Sequence, residues 1–175
     1  SLFSSAGIGD LGLKKNKINI IASNEIIENR HDLYKNNFPN SKLFTGDIWD
    51  IKNDLIMYVK KKYPNLFMVY ATPPCQGMSS NGAGKLLSEV KKGNRKKFDN
   101  RNRLIIPTIE IINELRPKWV LLENVTSMRN TIIEDEKKQI INILDYIKNN
   151  IDKSYIGTFE NIDTSDFGIA QQRKR

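Results

Sequence analysis

Pro73-Pro74-Cys75-Gln76 puts the only cysteine of the chain on a stiff loop, directly after the apolar run at residues 66–71. That run is short, apolar and bounded by turn residues, the pattern of a buried parallel strand. Two prolines fix the backbone as it leaves the strand, and open α/β sheets bind ligands at the carboxyl ends of strands. A lone cysteine is ordinarily a buried structural thiol. Held on a rigid loop at a strand end, it is instead a candidate nucleophile, because the thiolate is the attacking form.

Five further features carry polar chemistry. Gly7-Ile8-Gly9-Asp10-Leu11-Gly12 fits the G-x-G-x-x-G pattern, follows a strand end and opens a helix. Glu25, at the end of the second strand, is placed to bind ribose hydroxyls. Together they support a nucleoside-containing cofactor without choosing between NAD and S-adenosylmethionine, and tightly packed turn glycines are the plain alternative. Asp47 either accepts a hydrogen bond from an adenine amino group or caps the following helix. Glu123-Asn124-Val125 ends a strand too apolar to hold a carboxylate for solubility, and a carboxyl there can donate a proton to a ring nitrogen. Gln171-Gln172-Arg173-Lys174-Arg175 offers guanidinium groups to a phosphate or a base oxygen, or is an ordinary basic surface segment.

The elements that must position these residues alternate strand with helix. Residues 1–3 read as the end of a strand, 18–23 as a strand and 27–38 as a helix closed by Pro39. A short strand at 42–45 precedes a helix at 54–63, which stops before Pro64. After the strand at 66–71 come a helix at 103–115, ending at Arg116-Pro117, and a strand at 119–123. Residues 134–149 predict a helix, with Ile140, Leu144 and Ile147 on one face, and 155–161 a further strand. The expectation is an α/β fold in one catalytic, cofactor-binding domain over 1–175.

Bulk composition narrows the class. A single cysteine excludes an internal disulfide framework, and one histidine beside it leaves no ordinary Cys/His zinc set. No apolar run approaches membrane-spanning length. The net charge of +8 favours a polyanionic partner. Residues 78–103 concentrate lysine and arginine between glycines, as a solvated loop would. The chain opens without methionine inside a strand and stops without a closing element, so more polypeptide is expected on each side.

Taken in order, these residues resemble the DNA cytosine-5 methyltransferases, especially the bacterial restriction–modification enzymes. The resemblance rests on Phe3 with the glycine loop, Glu25, Asp47, Pro73-Pro74-Cys75-Gln76, Glu123-Asn124-Val125 and Gln171-x-Arg173-x-Arg175, and covers nearly the whole chain. It implies a Rossmann-like S-adenosylmethionine-dependent fold, a mostly parallel sheet with helices on both faces. Ser5 and Ile8 stand where the family's loop usually carries further glycines. Cys75 would add to cytosine C6, Glu123 would act at N3, and Arg175, supported by Arg173, would hold the base oxygen or a nearby phosphate. The base would be flipped out of double-stranded DNA to reach them. Phe3 would stack on the adenine, Glu25 hold the ribose and Asp47 the adenine amino group. Ser4, Gly7, Gly9, Ile26, Ile48, Pro74 and Leu104 would complete the cofactor contacts. The product would be S-adenosylhomocysteine, no metal is expected, and the location implied is the bacterial cytoplasm. The family's target-recognition domain and last cofactor motif are not in the sequence, so the chain by itself is expected to methylate poorly. An NAD-dependent oxidoreductase, a transfer RNA cytosine-5 methyltransferase and a non-enzymatic nucleic-acid-binding domain are the alternatives.

Overall fold

The computed structural model describes residues 1–74 and 99–175. They gather into two compact units, Ser1–Thr72 with Glu110–Leu122, and Pro73–Ile109 with Glu123–Arg175. Helix α4 (Ile105–Leu115) is divided between them.

The first unit runs α1 (Ile8–Lys15), β1 (Ala22–Glu25), α2 (His31–Asn37), β2 (Lys42–Thr45), α3 (Ile48–Lys62) and β3 (Met68–Ala71), and ends with β4 (Trp119–Leu122). β1 pairs with β2 and β3 with β4, both in parallel. Residues 1–4 join the two pairs. Leu2 N–H donates to Tyr70 O at 2.8 Å and Thr72 N–H to Leu2 O at 3.2 Å on one side. Asn24 N–H donates to Ser1 O at 3.1 Å and Ser4 N–H to Asn24 O at 2.9 Å on the other. The resulting order is β2, β1, residues 1–4, β3, β4, with the earliest segment in the middle. Strand order therefore reverses at residues 1–4, and such a switch point opens a crevice at the strands' carboxyl ends.

Hydrogen bonds sort the helices accordingly. Tyr34 on α2 bonds Asp10 on α1, whereas Lys52 and Lys60 on α3 pair with Glu110 and Glu114 on α4. Right-handed crossovers from a reversing strand order put these two helix pairs on opposite faces of the sheet. Buried Leu2, Ala22, Ile48, Leu55, Val59, Val69, Ile111 and Ile112 form the core. Each fully buried side chain of that size contributes roughly 1.5–3 kcal/mol.

Boundaries move where side chains, not periodicity, decide them. The helix expected at 54–63 begins at Ile48, because the Asp47 carboxylate accepts the Trp49 N–H at 3.0 Å and caps it. Polar Asp50, Lys52, Asn53 and Asp54 hide that first turn from an apolar pattern. The strand expected at 18–23 is paired over Ala22–Glu25.

The second unit departs further. The predicted helix at 134–149 is a hairpin followed by a shorter helix: β5 (Ile132–Glu134) pairs antiparallel with β6 (Ile140–Asn142), and α5 covers Ile143–Asn150. Asp135 closes the hairpin by accepting the N–H groups of Lys137 and Gln139 at 2.9 and 2.7 Å, with Lys138 left-handed at φ 59°. Isoleucines on both sides of that turn suit a pleat better than a helix. The Asn142 side chain then accepts Leu144 N–H and starts α5. Residues 155–161 form no strand. Instead Ile162 and Arg175 exchange backbone hydrogen bonds at 2.8 Å, which lays 173–175 against 162–164.

Candidate active site and cofactor cup

The loop between residues 1–4 and α1 is unusually bent. Phe3, Ser5 and Gly7 all take left-handed conformations, at φ 59°, 52° and 86°. Non-glycine residues hold such angles only where surrounding contacts over-determine them. Those contacts are present. Thr72 Oγ1 donates to Phe3 O at 3.1 Å, and Ser4 Oγ donates to Asn24 O at 3.1 Å. Ser5 N–H donates to Glu25 Oε2 at 2.7 Å. A Cβ built on Gly7 would lie 2.5 Å from Phe38 Cε2, and one on Gly9 would lie 2.7 Å from the Tyr70 hydroxyl. Both positions require glycine for close approach, Gly7 for its backbone angle as well.

Glu25 holds two loops at once. It is 4% exposed, and its other oxygen accepts Ile27 N–H at 2.8 Å, with Arg30 Nη1 3.7 Å from Oε2. A carboxylate offers roughly four lone-pair positions, so these bonds leave Glu25 with acceptor capacity to spare. Ile26 beside it is 58% exposed, an apolar surface just beyond the carboxyl end of β1. Asp47 follows β2, and its cap to Trp49 uses only Oδ1. Ile48 is buried in the core. Phe3, Glu25, Ile26 and Asp47 thus lie at or just beyond the carboxyl ends of three neighbouring parallel segments, and these hydrogen-bond acceptors and apolar groups fit a nucleoside cofactor.

The second unit contains Pro74, Leu104, Glu123, Arg173 and Arg175. Glu123 Oε1 lies 2.7 Å from Arg175 Nε, with side chains 37% and 24% exposed. Asn124 Nδ2 donates to Pro73 O at 3.1 Å, and Asn124 Oδ1 accepts Val125 N–H at 2.8 Å. Asn124 therefore ties the proline loop to the segment carrying Glu123. Cys75, Gln76 and the basic residues at 78–98 lie outside the described residues. Of the basic stretch that remains, Arg101 pairs with Asp99 and Arg103 Nε donates to Glu134 O at 2.8 Å.

Arg173 is exposed, and its backbone is anchored. Its N–H donates to Asp163 Oδ1 at 3.1 Å and its carbonyl accepts Thr164 N–H at 3.1 Å. The Ser165 backbone N–H, then its hydroxyl, then Arg173 N–H hold the Asp163 carboxyl below its ordinary value. Sequence reasoning found Glu123 and Arg175 separately but not their pairing, nor the Asn124 tie, because both depend on tertiary placement. Among the described residues no group of three or more His, Cys, Asp or Glu side chains is arranged to hold a metal, and no helix is long and apolar enough to cross a membrane.

The fold is shared with solved methyltransferase structures. A candidate DNA modification methyltransferase encoded within an E. coli prophage superposes with TM-score 0.71 at 23% identity, over 99% of this chain and 43% of that one. This matches the expected Rossmann-like α/β architecture. The type II methyltransferase M1.HgaI of Avibacterium volantium is 37% identical over 179 residues, and M.NgoPII of Neisseria gonorrhoeae 30% over 176. Each match covers the whole of this chain, which spans about half of their lengths, 47% and 45%. M.AquIA of Picosynechococcus is 26% identical, and 68% of its length is covered. The family model for C-5 cytosine-specific DNA methylases matches residues 1–175, and the chain belongs to that family.

Proposed function

We propose that residues 1–175 are the catalytic, cofactor-binding portion of a restriction–modification enzyme that methylates cytosine C5 in double-stranded DNA. The observation carrying this reading is the Glu123–Arg175 ion pair, one residue from the Asn124 bond to the proline loop. An acid for the ring and a cation for its oxygen are thereby anchored with the loop that leads to Cys75. Cys75 thiolate adds to C6 of a flipped cytosine while Glu123 delivers a proton to N3, which makes C5 nucleophilic. S-adenosylmethionine, when bound, supplies the methyl group and leaves as S-adenosylhomocysteine. Loss of the C5 proton to a base then expels the Cys75 thiolate, and return of the N3 proton to Glu123 restores neutral, aromatic 5-methylcytosine. A thiolate nucleophile asks for no metal.

Phe3, Ser4, Gly7, Gly9, Glu25, Ile26, Asp47 and Ile48 hold the cofactor in this reading, with Pro74 and Leu104 contributing. The strained loop and the spare acceptor capacity of Glu25 support that assignment. The partners are double-stranded DNA and a C-terminal target-recognition portion, in the same chain or as a second polypeptide, and the location is the bacterial cytoplasm. A transfer RNA substrate would use the same chemistry; membership of the C-5 cytosine-specific DNA methylases favours DNA.

The test is covalent trapping of the full-length protein on a duplex carrying 5-fluorocytosine in its recognition site, with S-adenosylmethionine present. A denaturation-resistant adduct mapping to Cys75 supports the reading. An adduct on transfer RNA instead of DNA, or none on either, overturns it.

A further inference from the structure

Asp10 is a buried carboxylate that the methyl-transfer chemistry does not use. It lies in the first turn of α1, 1% exposed, with Oδ2 accepting the Tyr34 hydroxyl at 2.8 Å and Oδ1 buried without a partner. A carboxylate near a helix N-terminus gains from the helix dipole, yet leaving one oxygen unsatisfied costs free energy. Two apolar side chains of similar volume would fill the same space without that cost. The hydrogen bond adds direction. It fixes how α1 is turned against α2, which apolar contact alone does not.

What α2 touches gives the direction its use. Tyr34 is fully buried and stacks on Phe38 with ring centroids 5.0 Å apart. Phe38 and Tyr34 are the side chains a Gly7 Cβ would strike, at 2.5 and 3.2 Å. Asn37 Nδ2 donates to Ala6 O at 3.3 Å. One short stretch of α2 and its end therefore contacts Ala6, Gly7 and Asp10, three residues of the left-handed loop and the turn that follows. Burial raises the Tyr34 hydroxyl far above its ordinary value, so it stays a donor at any working pH.

We propose that Asp10 and Tyr34 form a positioning latch that holds the residue 3–7 loop in its binding shape. Losing it weakens cofactor binding and leaves the chemical step intact. This rests on the cofactor reading given above, so the test has one arm that needs no cofactor. Tyr34→Phe, Asp10→Leu and Asp10→Asn are compared in the full-length protein. The first two remove the bond; asparagine keeps an acceptor for the Tyr34 hydroxyl.

Amide exchange at residues 5–9 in the cofactor-free protein should quicken roughly tenfold in Tyr34→Phe and Asp10→Leu, the scale of one lost hydrogen bond to a charged group. S-adenosylhomocysteine affinity by calorimetry should fall by a similar factor, about tenfold, while single-turnover rates at saturating cofactor stay within about twofold. Asp10→Asn should restore both readouts. Unchanged loop exchange in Asp10→Leu, or losses that merely follow a lowered thermal midpoint, overturns the latch. A parent protein that binds no S-adenosylhomocysteine sinks the cofactor reading instead, and the exchange comparison still decides the latch.

Discussion

Glu123 Oε1 and Arg175 Nε meet at 2.7 Å, joining the residue after β4 to the basic segment held against 162–164. A fork-shaped guanidinium fixes a carboxylate more rigidly than an ammonium does. The pair holds a carboxyl and a guanidinium side by side, the arrangement the proposed reading asks for at a pyrimidine ring nitrogen and its neighbouring carbonyl oxygen.

Glu123→Gln in the full-length enzyme should slow single-turnover methylation by roughly 10²-fold or more, the scale of lost general acid catalysis. The amide still accepts from Arg175, so S-adenosylhomocysteine binding should persist. Rates equal to the parent would leave Glu123 with a purely structural role.

Cys75→Ser should abolish methyl transfer and leave cofactor affinity nearly unchanged, because a hydroxyl ionises far less readily than a thiol. Mass spectrometry of the 5-fluorocytosine duplex reaction should find no adduct in the serine variant. Turnover close to parent levels would remove the nucleophile assignment.

Gly7→Ala should destabilise the first unit by about 2 kcal/mol or more, combining a left-handed backbone with a clash against the Phe38 ring. Denaturant unfolding of the variant against the parent measures it. Gly12→Ala is the control, since nothing lies within 4 Å of its added Cβ. Equal losses at both sites would mean that the loop tolerates a methyl group.

Asp163 fixes a pH dependence for the basic segment. Its folded pKa lies below the ordinary 3.8, so the stabilisation is complete above that value and is lost as pH falls through the lower folded one. The Arg173 amide resonance should hold constant from neutrality to about pH 4 and move only below it. Asp163→Asn should remove that movement. A transition above 3.8 would contradict the hydrogen bonds to Ser165 and Arg173.

β3 and β4 were legible because they are short apolar runs bounded by turn residues, whereas β1 is Ala-Ser-Asn-Glu, so the apolar run just before it drew the expected strand to 18–23. Asp135 defeated the same reasoning. Its side chain closes a turn inside a stretch whose isoleucine spacing also fits a helical face, and only the pairing of Ile133 with Ile141 decides between them. At the site, Glu25, Glu123 and Arg175 were visible as residue types at strand ends and in a basic cluster. Asp10 with Tyr34 was not, since a polar residue on a short helix carries no mark of the partner it finds across the fold.

Residues 1–4 lie between β1 and β3 in the sheet yet are translated before β1, β2, β3 and β4. One of their edges can pair as soon as β1 emerges, whereas the other waits for Met68–Ala71. Throughout that interval a central strand is exposed as an open edge, available to another nascent chain. The reversal of strand order at residues 1–4 therefore leaves one edge of a central strand unpaired until β3 has been made.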